Sequence, residues 1–138
     1  MLAPPQDVPD MTKASKLLVV GVDDDFRVRE SLESLVESAG YDARVFSSAE
    51  QFLASGTVLE AACVITDVRM SGMNGIELQR CVRLERPSLP VIFVSAHQDV
   101  GLRQQALDEG AALFIYKPFD AAKLIEALER LLRQPSDD

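Results

Sequence analysis

The sequence has few cysteines, a minority of basic residues and no long apolar segment, and each shortage excludes a class of protein. Its two cysteines, Cys63 and Cys81, have neither the spacing of a zinc site nor the density of a disulfide scaffold. We interpret both as buried thiols. The 14 basic residues are outnumbered by 22 acidic ones, giving a net charge of -8, which argues against a nucleic-acid-binding surface. We therefore expect any DNA binding to lie outside this chain.

No apolar run approaches the roughly 20 residues that a membrane-spanning helix needs. The proline-containing start also lacks the charged-then-apolar plan of a signal peptide. We therefore expect a cytoplasmic protein that makes no membrane contact. With 138 residues and 47% hydrophobic content, the chain has the size and composition of one domain.

The start of the chain differs in composition from the rest. Pro4, Pro5 and Pro9 lie among polar neighbours there, and proline interrupts both strand ladders and helices. We predict a flexible lead-in over residues 1–15, one folded domain over residues 16–133, and a C-terminal tail over residues 134–138.

From Lys16 onward, short apolar runs alternate with longer amphipathic stretches, which is typical of a parallel sheet with crossover helices. The predicted strands cover residues 17–22, 41–46, 63–66, 91–94 and 113–116, each followed by a helix. The fourth helix, from about residue 99 to 109, has a thin apolar stripe, so we expect it to be loosely packed. The pattern predicts an α/β fold with five strands in the order 2-1-3-4-5 and helices on both faces, as in flavodoxin-like folds.

Polar residues fall where the predicted strands end. Asp23 and Asp24 follow the first strand, Asp67 follows the third, and Ser95 and Lys117 follow the fourth and fifth. The predicted strand order brings all five to one edge of the sheet. Three carboxylates about 4 Å apart would repel by about 4 kcal/mol per pair at an effective dielectric near 20, so they need a cation.

Ligands that are all oxygen atoms predict a hard ion, and Mg²⁺, with Mn²⁺ as the alternative, suits a shallow cleft better than Ca²⁺ does. We predict that Asp24, Asp67 and the backbone carbonyl near Arg69 bind it, with Asp23 binding directly or through water. A pocket with a divalent ion, the Lys117 ammonium and a hydroxyl is suited to a phosphoryl group. Asp67 is the predicted nucleophile because its strand is central.

Four segments resemble the ordered motifs of response-regulator receiver domains. They are residues 22–24, 66–75, 94–96 and 116–119, and the resemblance extends from about residue 16 to 132. Four motifs in order are much more specific than any one of them. Residues 46–53 further resemble the FixJ-like branch, whose members usually carry a C-terminal DNA-binding domain.

The resemblance implies a CheY-like fold and a role in two-component signalling. It implies that Asp67 accepts a phosphoryl group from a sensor histidine kinase, and that Ser95 and Lys117 contact the phosphoryl oxygens. Phosphorylation would then draw Ser95 toward the phosphoryl group and let Phe114 turn inward. This would remodel the surface of the fourth helix, fifth strand and fifth helix, which Tyr116 shares and through which we expect a homodimer.

Several positions refine this expectation. Arg69 and His97 occupy positions whose side chains tune acyl-phosphate lifetime in the family. Ser71 stands where a proline is common, so we expect the loop after Asp67 to be less rigid. Phe114 has no hydroxyl and must act through packing. We expect a signalling protein that catalyses only its own phosphorylation and dephosphorylation, rather than an enzyme.

Two alternatives remain open. A haloacid-dehalogenase-like phosphatase also uses an aspartate nucleophile with Mg²⁺, but Arg69 stands where its second acid is expected. A receiver-like module that is never phosphorylated would act through protein contacts alone. The intact set of Asp24, Asp67, Ser95 and Lys117 counts against this second alternative.

Overall fold

The computed structural model describes residues 16–96 and 100–133. The predicted lead-in over residues 1–15, the predicted tail over residues 134–138 and His97 lie outside the described residues. The strands are β1 (Leu18–Val22), β2 (Asp42–Phe46), β3 (Cys63–Thr66), β4 (Val91–Ser95) and β5 (Leu113–Tyr116). The helices are α1 (Phe26–Ser38), α2 (Ala49–Ser55), α3 (Gly75–Glu85), α4 (Val100–Asp108) and α5 (Ala121–Leu132).

The five strands form one parallel sheet in the order β2-β1-β3-β4-β5, which confirms the predicted topology. Every residue of β3 and β4 is buried. Strands that are covered on both faces are expected to have largely continuous apolar sequences, and β3 and β4 have such sequences. The edge strand β2 instead alternates between exposed and partly buried residues.

Each face of the sheet has its own hydrophobic layer. Helices α2, α3 and α4 supply Phe52, Leu78 and Ala106 to one layer. Helices α1 and α5 supply Leu32 and Leu124 to the other. The helices therefore cover both faces, as predicted, and leave the carboxyl ends of the strands accessible at one edge.

The spacing of Ser48 and Gln51 fits a capping box at the start of α2, but only half of the box forms. The Ser48 hydroxyl accepts a hydrogen bond from the Gln51 backbone N–H at 3.1 Å. The side-chain oxygen of Gln51, however, accepts from the Ser47 N–H and not from Ser48. A complete box forms instead at the start of α3, where Asn74 and Glu77 each accept the other's backbone N–H.

The prediction of two buried thiols was correct for Cys63 and wrong for Cys81. Cys63 is buried in β3, and burial raises the pKa of its thiol to about 12. Cys81 is only partly buried, because it lies beside the apolar stripe of α3 and not within it.

Two further elements bear on the packing. A short 3-10 helix, Thr57–Leu59, precedes β3 and was not predicted. Along α4 only Ala106 is buried, in agreement with the thin apolar stripe of this helix. Within the described part of the chain, no helix has the length and apolar character to cross a membrane.

Candidate functional site

The loops after β1, β3 and β5 bring four charged side chains together. Carboxylate oxygens of Asp23, Asp24 and Asp67 lie within 4.8 Å of one another. The Lys117 ammonium donates to Asp23 Oδ2 at 2.9 Å and to Asp67 Oδ2 at 3.2 Å. The Lys117 ammonium therefore joins two of the three acids, although Lys117 follows a different strand from either of them.

The strand register explains why these residues meet. Val22 in β1 is paired with Thr66 in β3, and the ladder continues one residue further, where the Asp67 N–H donates to the Val22 carbonyl at 3.1 Å. At the other side of the site, the Lys117 N–H donates to the Ser95 carbonyl at 2.7 Å. Parallel strands end at the same edge, so residues directly after their last pairs become neighbours.

The four charged groups differ in their exposure, and the surroundings of Asp23 and Lys117 shift the pKa of each of these two side chains. Asp23 is 1% exposed and Asp67 is 8% exposed, whereas Asp24 is exposed. Burial raises the pKa of Asp23, although the Asp25 N–H and Lys117 act in the opposite direction. Burial alone would lower the pKa of Lys117, but its hydrogen bonds and the charges of Asp23 and Asp67 raise it overall. The Lys117 side chain is therefore charged at neutral pH.

The residues of this cluster fit a divalent cation. The three carboxylates and the ammonium leave a net formal charge of -2, which one divalent ion would neutralise. The acids offer only oxygen donors, which hard cations prefer. The exposed Asp24 marks an open side where such an ion could keep several of its waters, as Mg²⁺ tends to do.

Ser95 and Phe114 lie on the strands beside the acids. Ser95 ends β4 and is 1% exposed. The Phe114 ring is 6% exposed and stacks on Phe93 with a centroid distance of 5.8 Å. Tyr116 lies on the same face and meets Phe114 edge-on at 5.5 Å. The aromatic ring that was expected to turn inward is thus already inside the core.

The loop between Asp67 and α3 is bonded to two acids from other parts of the chain. The Ser71 N–H donates to Asp24 Oδ2 at 3.3 Å, and the Met73 N–H donates to Glu50 Oε2 at 2.8 Å. The sequence patterns predicted no role for Glu50. No local pattern links Glu50 to Met73, because 23 residues separate the two in the sequence.

Gly75, at the start of α3, approaches the Asp67 backbone very closely. A Cβ at this position would collide with the Asp67 carbonyl oxygen. The Gly75 N–H also donates to the Val68 carbonyl at 2.8 Å. Arg69, whose carbonyl was predicted to bind the cation, lies exposed in the same loop.

A groove of about 1080 Å³ opens beside the cluster, between α1 and the connection from β5 to α5. Val28 and Leu35 of α1 form part of one wall, and Pro118 and Phe119 form part of the other. Lys117 also lines it, so the groove leads to the charged cluster.

Comparisons with known proteins agree on one family. The protein-family model of the response regulator receiver domain matches residues 19–129 of this chain. Transcriptional regulatory protein FixJ of Azorhizobium caulinodans is 40% identical over 116 residues, covering 84% of this chain and 55% of that protein. This chain spans about half the length of the curated relatives it matches.

Solved structures show the same likeness. Full-length FixJ from B. japonicum superposes with a TM-score of 0.79 at 35% identity, over 88% of this chain and 61% of that chain. Chemotaxis protein CheY4 of Vibrio cholerae superposes with a TM-score of 0.78 at 25% identity, over 86% of this chain and all (100%) of that chain.

Proposed function

The chain belongs to the response regulator receiver domain family, and from that premise we propose that a sensor histidine kinase phosphorylates it on Asp67. As a receiver domain it is a signalling component of a two-component system. One observation supports the choice of Asp67 most directly. Its carboxylate accepts a hydrogen bond from the Lys117 ammonium at 3.2 Å and lies within 4.8 Å of carboxylate oxygens of two further acids, so that a phosphoryl group and a divalent cation would both be held beside it.

The proposed reaction transfers a phosphoryl group to an oxygen of Asp67. The carboxylate oxygen attacks phosphorus, the bond from phosphorus to the donor's imidazole nitrogen breaks, and its electron pair leaves with the imidazole. Lys117 attracts the phosphoryl oxygens, and the Ser95 hydroxyl donates to one of them. Water then hydrolyses the acyl phosphate, which releases inorganic phosphate and returns the free carboxylate.

We propose that Mg²⁺, or Mn²⁺ in its place, supports this transfer. Asp23, Asp24, Asp67 and the Arg69 carbonyl would hold the ion. When bound, it would neutralise charge on the phosphoryl oxygens and so favour attack by an anionic carboxylate. The net formal charge of -2 on the cluster supports a divalent ion over a monovalent one.

We propose a switch that depends on the position of the Phe114 ring. The ring lies inside in this structure, so the switch would be an equilibrium between this inward position and an outward one. Phosphorylation would draw Ser95 toward Asp67 and favour the inward ring. The surface of α4, β5 and α5, which Tyr116 shares, would then change and support a homodimer.

The remaining parts of the proposal concern context. We place the receiver domain at residues 16–133, with a lead-in over 1–15 and a tail over 134–138, and we place its action in the cytoplasm. Any DNA binding would lie outside this domain, because the chain as a whole is acidic, with a net charge of -8. Arg69 and His97 would tune the lifetime of the acyl phosphate.

Incubation with acetyl phosphate and Mg²⁺ tests the assignment of Asp67. We expect the mass spectrum of the intact protein to show one added phosphoryl group, and Asp67→Asn to show none, because an amide is a poor nucleophile. Asp25→Asn is the matched control. Asp25 lies near the cluster but caps α1 by accepting the Arg27 N–H at 2.8 Å, a role that asparagine also fills.

Labelling of Asp67→Asn at the wild-type level would overturn the assignment. The haloacid-dehalogenase-like phosphatase and the module that is never phosphorylated are not favoured, given the family. Sustained turnover of a small phosphomonoester would support the former. An amide NMR spectrum unchanged by Mg²⁺ and beryllofluoride would support the latter.

A further inference from the structure

The loop after Asp67 lacks the proline that would restrict its backbone, since Ser71 stands at that position. Its shape therefore depends on other restraints. Each of three backbone N–H groups in the loop donates to a carboxylate: Ser71 to Asp24 at 3.3 Å, Met73 to Glu50 at 2.8 Å, and Asn74 to Glu77 at 2.9 Å.

These three carboxylates have different additional roles. Asp24 belongs to the charged cluster, and its bond to the loop is the longest of the three. Glu77 completes the capping box of α3 and so restrains the start of that helix. Glu50 differs from both, because it belongs to α2 and lies outside the charged cluster.

The carboxylate of Glu50 contacts the loop at two consecutive residues. Besides accepting the Met73 N–H, it packs against Gly72, where an added Cβ would lie 2.6 Å from Glu50 Oε2. Gly72 has a φ of 77°, a left-handed conformation that residues with a Cβ rarely adopt. The absence of a Cβ at Gly72 therefore allows both the left-handed turn and the close approach of the Glu50 carboxylate.

The ionised state of Glu50 suits this role. The Met73 N–H, followed by Glu50's own N–H, holds the pKa of this carboxyl below its usual range. A hydrogen bond to a charged acceptor is stronger than one between neutral groups. Glu50 itself is exposed, so its contribution is a local restraint on the loop.

We propose, on the basis of the function proposed above, that Glu50 is a positioning residue that fixes the loop of residues 68–74 for cation binding and phosphorylation. This loop follows directly on Asp67 and includes Arg69, whose carbonyl is a proposed ligand of the cation. A bond at Met73 and a fixed turn at Gly72 limit how far that carbonyl moves. Glu50 thereby supplies part of the restraint that a proline at position 71 would provide.

The inference is tested with Glu50→Ala and Glu50→Gln, with Glu126→Ala as the matched control. Glu126 is an exposed glutamate on α5, on the other side of the sheet from α2. Two quantities are measured: the Mg²⁺ dissociation constant by calorimetry, and hydrogen exchange of the Met73 amide in the metal-free protein by NMR.

We expect Glu50→Ala to weaken Mg²⁺ binding by about three- to tenfold, which is the size of effect expected from the loss of one exposed charge-assisted hydrogen bond. The Met73 amide should exchange faster in the same variant, without metal. Glu50→Gln keeps an acceptor oxygen and should recover part of both properties. Glu126→Ala should match the wild type.

Two outcomes separate this inference from the proposed function. If the wild type binds Mg²⁺ and Glu50→Ala binds it equally well, the positioning role is wrong while the proposed function stands. If the wild type binds no Mg²⁺ and is not phosphorylated by acetyl phosphate, the proposed function and the inference are both wrong.

Discussion

Lys117 shows how a single side chain can join separate parts of a site. Its ammonium hydrogen-bonds to Asp23 and Asp67, which are 94 and 50 residues away in the sequence. Burial of such an ion pair opposes much of its Coulomb attraction, so a buried pair is weak support for stability. Its clearer effect is positional. The ammonium is held beside the carboxylate that we propose to be phosphorylated.

Gln79 is a residue whose local environment does not match its chemistry. It is buried in α3, and neither its amide nitrogen nor its amide oxygen has a hydrogen-bond partner in the described part of the chain. Leaving a polar group buried and unbonded costs about 1–3 kcal/mol. We therefore expect Gln79 to lower the stability of the folded state relative to an apolar residue of similar size.

We predict that Gln79→Leu raises the free energy of unfolding by about 1–2 kcal/mol, because leucine fills the space without a polar group. Urea denaturation followed by circular dichroism measures this change. Gln104→Leu is the control, since Gln104 is exposed and its amide already donates to Asp108 at 2.7 Å. A neutral or destabilising effect of Gln79→Leu would contradict the prediction.

At the scale of elements, α4 is held less firmly than the other helices on its face of the sheet. Its sequence buries Ala106, whereas α3 buries residues in each of its turns. Glu109, the residue that directly follows α4, forms a bidentate ion pair with α3, in which Arg80 Nε and Nη2 donate to the two Glu109 carboxylate oxygens at 2.7 and 2.8 Å. Elements with few buried contacts open at low free energy.

We predict that amides of α4 exchange with solvent at least about tenfold faster than those of α3, because local opening exposes little apolar surface. Hydrogen exchange followed by NMR measures both helices in one sample. Arg80→Ala should speed exchange at the end of α4 further. Arg103→Ala removes an exposed arginine from α4 itself and should have no such effect. Equal protection in α3 and α4 would refute the prediction.

At the scale of the whole molecule, the charged cluster exists only when the sheet is assembled. Its members follow β1, β3 and β5, so the unfolded chain does not hold them together. An ion that binds only the folded state stabilises that state by mass action. Cation binding should therefore be measurable as an increase in the free energy of unfolding, independently of phosphorylation.

We predict that Mg²⁺ at 100 times its dissociation constant raises the free energy of unfolding by about 2.7 kcal/mol. Thermal unfolding across a series of Mg²⁺ concentrations, at constant ionic strength, measures this. Asp24→Asn removes one carboxylate from the cluster and should reduce the gain, whereas Asp25→Asn should keep it. The same gain in wild type and Asp24→Asn would show that the ion binds elsewhere.

The sequence alone determined the strands, the helices, the strand order and the edge at which the functional residues would meet. These features follow from local patterns: apolar runs of strand length, helical periodicity, and residues such as Asp67 and Lys117 directly after a strand. The resemblance of four motifs added the chemistry. Such patterns are readable because each depends on neighbours within one element.

Other features were decided by the tertiary structure alone. The bond from Met73 to Glu50, the unbonded amide of Gln79 and the inward ring of Phe114 had no counterpart in the sequence pattern. Each depends on the angle and spacing at which separate elements pack. Periodicity reports which face of an element is buried, but not which distant residue it meets, because packing between elements sets those contacts.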